Sequence, residues 1–273
     1  MSSIAELDLP HLAMEEAAFG QDPLPRFAEA RAKHPWLATS SLGLVITEHK
    51  AMRELFGRDE ELRPPYKDVV ALLGQEGTTW GRFTEEQLIS LPVDQHKFLR
   101  DTFAAKFTPR NANQMRPLMQ ATIGKLLDEW APKGAFDFEL FASHFPISVM
   151  FALVGAPQEG IALLRDDLEV IGLAHSYQLD LFPRIQEGMD RIDAFVQQAI
   201  ADRRANPHDG IEDMLDLLID TSDGGNVSHR QLVDLIMFFF IAGYDTSKNV
   251  LTYTMYTLLD HPDIYERCAE DHD

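Results

Sequence analysis

Apolar positions recur at helical spacing through most of this chain, and the densest such run lies between Ser228 and Leu259. Leu232, Leu235, Ile236, Phe239 and Phe240 fall three or four residues apart, and the seven residues from Ile236 to Ala242 are apolar without a break. The first pattern predicts a helix and the second predicts that this helix is buried on every side. Ser228 followed by Gln231 reads as a capping box, and Asp260-His261-Pro262 reads as a stop. The helix would then run roughly 48 Å at 1.5 Å per residue, long enough to cross a domain. It is not a membrane span, because Asp234 and Asp245 leave only ten residues between them, against the roughly 20 that a bilayer requires.

Before it, Pro23 to Arg31 reads as a short helix with proline in its first turn, followed by two strand-like runs, Trp36 to Ser40 and Leu44 to Thr47, around a turn at Ser41-Leu42-Gly43. Glu48 to Phe56 returns to helical spacing and Gly57 ends it. From Arg58 to Val93 periodicity fades among Pro64-Pro65, Gly74, Gly77, Gly81 and Pro92, and a long irregular segment is expected. Met115, Leu118, Met119, Ile123, Leu126, Leu127 and Trp130 form one helical stripe, closed by Pro132 and Gly134. Phe145 to Val154 is apolar all round and stops at Gly155 and Pro157. Glu159 to Leu173 and Pro183 to Arg204 read as amphipathic helices, and Ile211 to Ile219 as a short one before a turn at Ser222 to Asn226.

Two places break the apolar and helical logic and point to chemistry. Inside the long helix stands Ala242-Gly243-Tyr244-Asp245-Thr246-Ser247. Glycine there costs roughly 1 kcal/mol against alanine, and a buried Asp needs a partner. Gly243 would remove a side chain so that a flat object can approach the backbone. Thr246 can bond the carbonyl of Ala242 and bend the helix. The result is a polar notch in an apolar wall. The second place is His96 and Arg100, four apart on one helical face, where two donors could grip the carboxylates of one ligand or pair with acids such as Asp101.

The motif 242–247 resembles the oxygen-binding groove in the central helix of the cytochrome P450 family, the haem-thiolate monooxygenases. His96 and Arg100 resemble that family's propionate-binding pair, and Phe107-Thr108-Pro109-Arg110 matches the way that segment closes. The resemblance implies a mainly α fold with a small N-terminal β-sheet, one incomplete domain over 1–273. Asp245 and Thr246 would be catalytic in proton delivery, and His96, Arg100, Ala242 and Gly243 would bind the cofactor, haem b, with molecular oxygen as co-substrate. It also implies a small apolar organic substrate and an electron donor such as ferredoxin with its reductase. Arg58 to Val93 would be the variable loop over the pocket. Glu159 to Arg204 would be a lid, with Tyr177, Leu179, Leu181 and Phe182 at its junction.

The family also carries a Glu-x-x-Arg pair and a Phe-x-x-Gly cysteine loop after the central helix, and neither follows Leu259 here. The one cysteine, Cys268, lies beyond the helix among Glu266, Glu270 and Asp271, which would raise a thiol pKa. No metal ligand is therefore expected in this chain, which reads as truncated after the central helix and inactive as it stands. Composition narrows the rest. A single cysteine permits neither an internal disulfide nor a cysteine-based zinc site, and a net charge of −20 argues against nucleic acid and anionic membrane. The first residues show no basic or apolar targeting core, so a cytoplasmic protein is expected. A terpene cyclase would need more spaced acids than Asp166-Asp167, and no Gly-x-Ser-x-Gly or His-Glu-x-x-His is present. The competing reading is a non-catalytic helical fragment or partner-binding module of the same fold.

Overall fold

The computed structural model describes residues 4–41, 43–58, 61, 62, 64–176 and 178–271. Leu42 of the expected turn and Tyr177 of the expected lid lie outside them. The backbone divides into two compact units, Met1–Pro64 and Pro65–Asp273. The first closes on a small core of its own, Leu12, Ala30 and Ala38.

In that first unit α1 (Ala17–Gln21) and α2 (Pro23–Lys33) precede β1 (Leu37–Ser40) and β2 (Gly43–Ile46). The two strands pair antiparallel with Leu37 opposite Ile46 and Ser40 opposite Gly43. Gly43 takes φ +123°, a conformation closed to most side chains, which suits the chain reversal. Helix α3 (His49–Phe56) starts where the Glu48 carboxylate accepts the Ala51 N–H at 3.0 Å.

The second unit is helical. The stretch expected to be irregular holds α4 (Tyr66–Leu72) and α5 (Thr79–Glu86). Thr78 caps α5 by accepting from Gly81 N–H, and Trp80 and Phe83 bury its inner face. Then come α6 (Val93–Phe103), α7 (Pro109–Gln114), α8 (Arg116–Trp130), α9 (Phe138–Val154), α10 (Gly160–Gly172), α11 (Phe182–Ala205), α12 (Met214–Asp223), α13 (His229–Leu259) and α14 (Pro262–Glu270). Helix α9 begins seven residues before the expected start, because Asp137 caps it by accepting the Leu140 N–H and Pro146 is tolerated in its interior. Gly155 ends it at φ +83°, in the left-handed cap that glycine favours.

The expected capping box of α13 is present: Ser228 Oγ accepts from Gln231 N–H at 3.2 Å, and Gln231 Oε1 accepts from Ser228 N–H at 3.0 Å. Leu232, Val233, Leu235, Ile236, Met237, Phe239, Phe240 and Tyr244 are buried, and Ile241 is half-buried. Helix α9 is the main neighbour of α13, with α10 and α11 also against it. Phe151 of α9 stacks on Phe240 with ring centroids 4.6 Å apart, and Phe103 meets Phe239 edge-on at 4.9 Å. Such ring pairs add roughly 0.5–1.5 kcal/mol beyond burial.

Buried charge is paired. Asp234 receives the Arg82 guanidinium at 2.9 and 3.1 Å and Arg230 at 2.7 Å, while Arg230 also reaches Asp193 at 2.6 Å. This cluster joins α5, α11 and α13, so α5 is held by partners more than a hundred residues distant. Thr79 Oγ1 donates to Asp190, and Trp80 N–H donates to Gln186 Oε1 at 3.1 Å, adding two more ties between α5 and α11.

Candidate active site

Ala242, Gly243, Asp245 and Thr246 occupy one turn of α13, which stays α-helical through the motif. Thr246 Oγ1 donates to the Ala242 carbonyl at 2.7 Å, the bond expected from the sequence. Thr252, Thr254 and Thr257 make the same bond to the residue four before them. The bond alone therefore does not set Thr246 apart; its surroundings do.

Gly243, Thr246 and Ser247 border a cleft of about 370 Å³ whose other walls are apolar, among them Met119, Phe145, Val149, Met150 and Leu251. Thr246 and Ser247 are exposed, whereas Tyr244 and Lys248 are buried on the opposite side of the helix. The glycine has an immediate reason that the sequence did not show. A methyl group at Gly243 would lie 2.7 Å from Met150 Sδ and 2.8 Å from its Cγ, so the missing side chain lets α9 seat a thioether in the notch.

Asp245 is half-buried and faces α10: a Cβ on Gly172 would lie 3.0 Å from Asp245 Oδ1. No hydrogen bond or ion pair engages Asp245 among the described residues. Asp245 and Thr246, adjacent in sequence, thus serve different faces of the helix.

Tyr244 and Lys248, which sequence reasoning did not single out, carry the strongest electrostatics of the turn. Tyr244 O–H donates to Glu169 Oε2 of α10 at 2.7 Å, and Lys248 Nζ donates to Glu169 and, at 3.2 Å, to Glu139 of α9. Burial pushes the Tyr244 phenol well above its ordinary range, and the Glu169 carboxylate that accepts its proton pushes the same way. Burial opposes the charge on Lys248, but its hydrogen bonds to Glu169 and Glu139 outweigh that and raise its pKa. Burial likewise works against an ionised Glu169, and the bonds from Lys248 and Tyr244 prevail and lower it. The signal in the sequence was the four-residue spacing of Tyr244 and Lys248, which places both on one face.

His96 and Arg100 lie one turn apart on α6, His96 half-buried and Arg100 exposed. Neither side chain has a hydrogen bond or ion pair among the described residues. Asp101, the acid that could have taken them, is held by Lys97 at 2.5 Å. Their donors are free for a ligand with carboxylates. Cys268 is exposed on α14, past the end of α13.

The sequence comparisons agree on one family, and a solved structure shares the fold. The family model described as Cytochrome P450 matches residues 170–273. The luteothin monooxygenase of Streptomyces thioluteus is 30% identical over 267 residues, covering 97% of this chain and 64% of that protein. The cytochrome P450 monooxygenase PikC of Streptomyces venezuelae is 28% identical over 276 residues, covering 94% of this chain and 60% of its own length. Among solved structures, the crystal structure of CalO2 superposes with a TM-score of 0.80 at 19% identity, over 97% of this chain and 66% of that one. This chain spans less than two thirds of the length of these two curated relatives.

Proposed function

Because the chain belongs to the cytochrome P450 family, we propose that the turn 242–246 of α13 is an oxygen-binding groove and that His96 and Arg100 hold the carboxylates of a haem. The activity proposed is insertion of one oxygen atom into a small apolar organic substrate. An electron donor such as ferredoxin would supply the reducing equivalents, and the setting would be cytoplasmic. No described helix is long and apolar enough to cross a membrane. The reading of 1–273 as one incomplete P450 domain belongs to the same proposal.

The observation that carries the reading is the pairing of two features: a groove turn with an outward threonine beside an apolar cleft, and two unengaged donors one turn apart on α6. The residues fit a haem in part. The α6 pair suits two carboxylates. A thiolate is not supplied, since Cys268 lies past the last 13 residues of α13, roughly 20 Å of helix beyond Thr246. When bound, haem supplies the oxygen chemistry, and the protein positions, excludes water and moves protons.

Within that division of labour Thr246 presents a hydroxyl to the cleft. That hydroxyl is committed to the Ala242 carbonyl, so it must rotate away before it can pass a proton outward, while its oxygen can accept a bond without moving. Asp245 sits on the neighbouring face as the proton reservoir, out of direct line with the cleft. Gly243 lets α9 approach closely and keeps the turn narrow.

The alternative of a non-catalytic partner-binding fragment draws on the exposed apolar side chains of late α13. Haem titration of the purified chain separates the two. Retention that falls several-fold in His96→Ala and in Arg100→Ala supports the haem reading, and binding indifferent to both substitutions removes it.

A further inference from the structure

Helix α10 presents two residues, three apart, to the groove turn: Glu169 takes the Tyr244 hydroxyl and the Lys248 ammonium, and Gly172 abuts the Asp245 carboxylate. These contacts bracket the turn. Tyr244 precedes Asp245, Lys248 follows Thr246, and both are held by one carboxylate on one neighbouring helix. Tyr244 is fully buried and Lys248 is 4% exposed, so neither has water as a ready substitute partner. Lys248 is also tied to Glu139 of α9, so it bonds to both flanking helices.

We propose that Glu169 is a positioning residue for the groove: through Tyr244 and Lys248 it fixes the distance between α10 and α13, and thereby the place of Asp245 against Gly172. The approach is close: Asp245 Oδ1 lies 3.0 Å from where a Gly172 Cβ would stand, so a side chain at 172 would have to displace the carboxylate. Helix α10 is itself anchored to α11, where Arg191 grips Asp167 through two bonds at 2.6 and 2.7 Å. That Asp245 matters to a reaction rests on the function proposed above; that Glu169 holds the turn does not.

The test uses amide hydrogen exchange in the whole 273-residue chain, with α8 and α12 as internal references. Charge-assisted bonds of this kind are lost at a cost that raises local opening by about tenfold or more. Exchange at 243–249 should therefore rise at least that much in Glu169→Gln and in Lys248→Met, with α8 and α12 unchanged. Tyr244→Phe, which deletes one hydroxyl and keeps the ring, should give a smaller rise over the same residues. Lys248→Arg should restore exchange close to wild type, a rescue that packing loss alone would not produce. An unchanged turn in Tyr244→Phe and Glu169→Gln, or a rise spread evenly over all helices, overturns the proposal. Haem titration of the same variants is read separately, so failure of the chain to bind haem leaves this result standing.

Discussion

The two ends of α13 carry comparable apolar content and meet opposite surroundings. From Leu232 to Tyr244 the side chains are enclosed by α9, α10 and α11, and the one acid among them, Asp234, is neutralised by two arginines. From Val250 onward the helix exposes Val250, Tyr253, Tyr256 and Leu259, each more than 60% accessible and spaced three apart. A stripe at that spacing is what a helix uses to pack. The groove turn lies at the boundary, with Tyr244 and Lys248 on the enclosed side and Thr246 on the open side. The contrast teaches that burial follows from neighbours and not from hydropathy: the same helix is core where three others cover it and leaves one face open farther along.

Breaking the enclosed half should have the largest effect. Phe240→Ala removes a ring that is 1% exposed and stacked on Phe151, and a loss of about 3–5 kcal/mol is expected by urea unfolding. A loss under about 1 kcal/mol would mean that this end of the helix is not the core described.

A smaller effect comes from pH and bears on the polar boundary. Burial opposes the ionised forms of Glu169 and Asp216, yet their bonded partners hold both below the ordinary values of 4.5 and 3.8. The sign follows: depressed carboxyls contribute stability that is complete above those ordinary values and is lost as pH falls through and below them. The thermal midpoint should be flat from pH 7 to 5 and decline below about 4.5, and Glu169→Gln should shallow that decline. A midpoint that rises on acidification would contradict the assignment of both bonded carboxylates.

The open half should respond least. Tyr253→Ser and Leu259→Ser are expected to change stability by no more than about 0.5 kcal/mol. A large stability loss in either would show that the stripe is already covered.

How much of this was legible depends on where the partners lie. The capping box at Ser228 and Gln231, the Thr246 bond to Ala242 and the shared face of His96 and Arg100 are all local, within four residues, and each stands where the sequence puts it. Helices α4 and α5 were hidden because Gly74 and Gly77 interrupt the period with φ of +64° and +74°, and because the main partner of Arg82 is Asp234 on a distant helix. The start of α9 was hidden by Pro146, which reads as a boundary yet sits inside the helix. Met150 over Gly243 and Glu169 beneath Tyr244 are long-range contacts that no spacing rule reaches.

The central proposal, that the turn 242–246 is an oxygen-binding groove and that His96 and Arg100 hold haem carboxylates without a thiolate from Cys268, is tested most directly by one spectrum. The purified 273-residue chain is loaded with haem, reduced and exposed to carbon monoxide. The account predicts haem retained in wild type and weakened in His96→Ala, with no thiolate-type Soret band. A thiolate-type band in wild type that disappears in Cys268→Ser would contradict it.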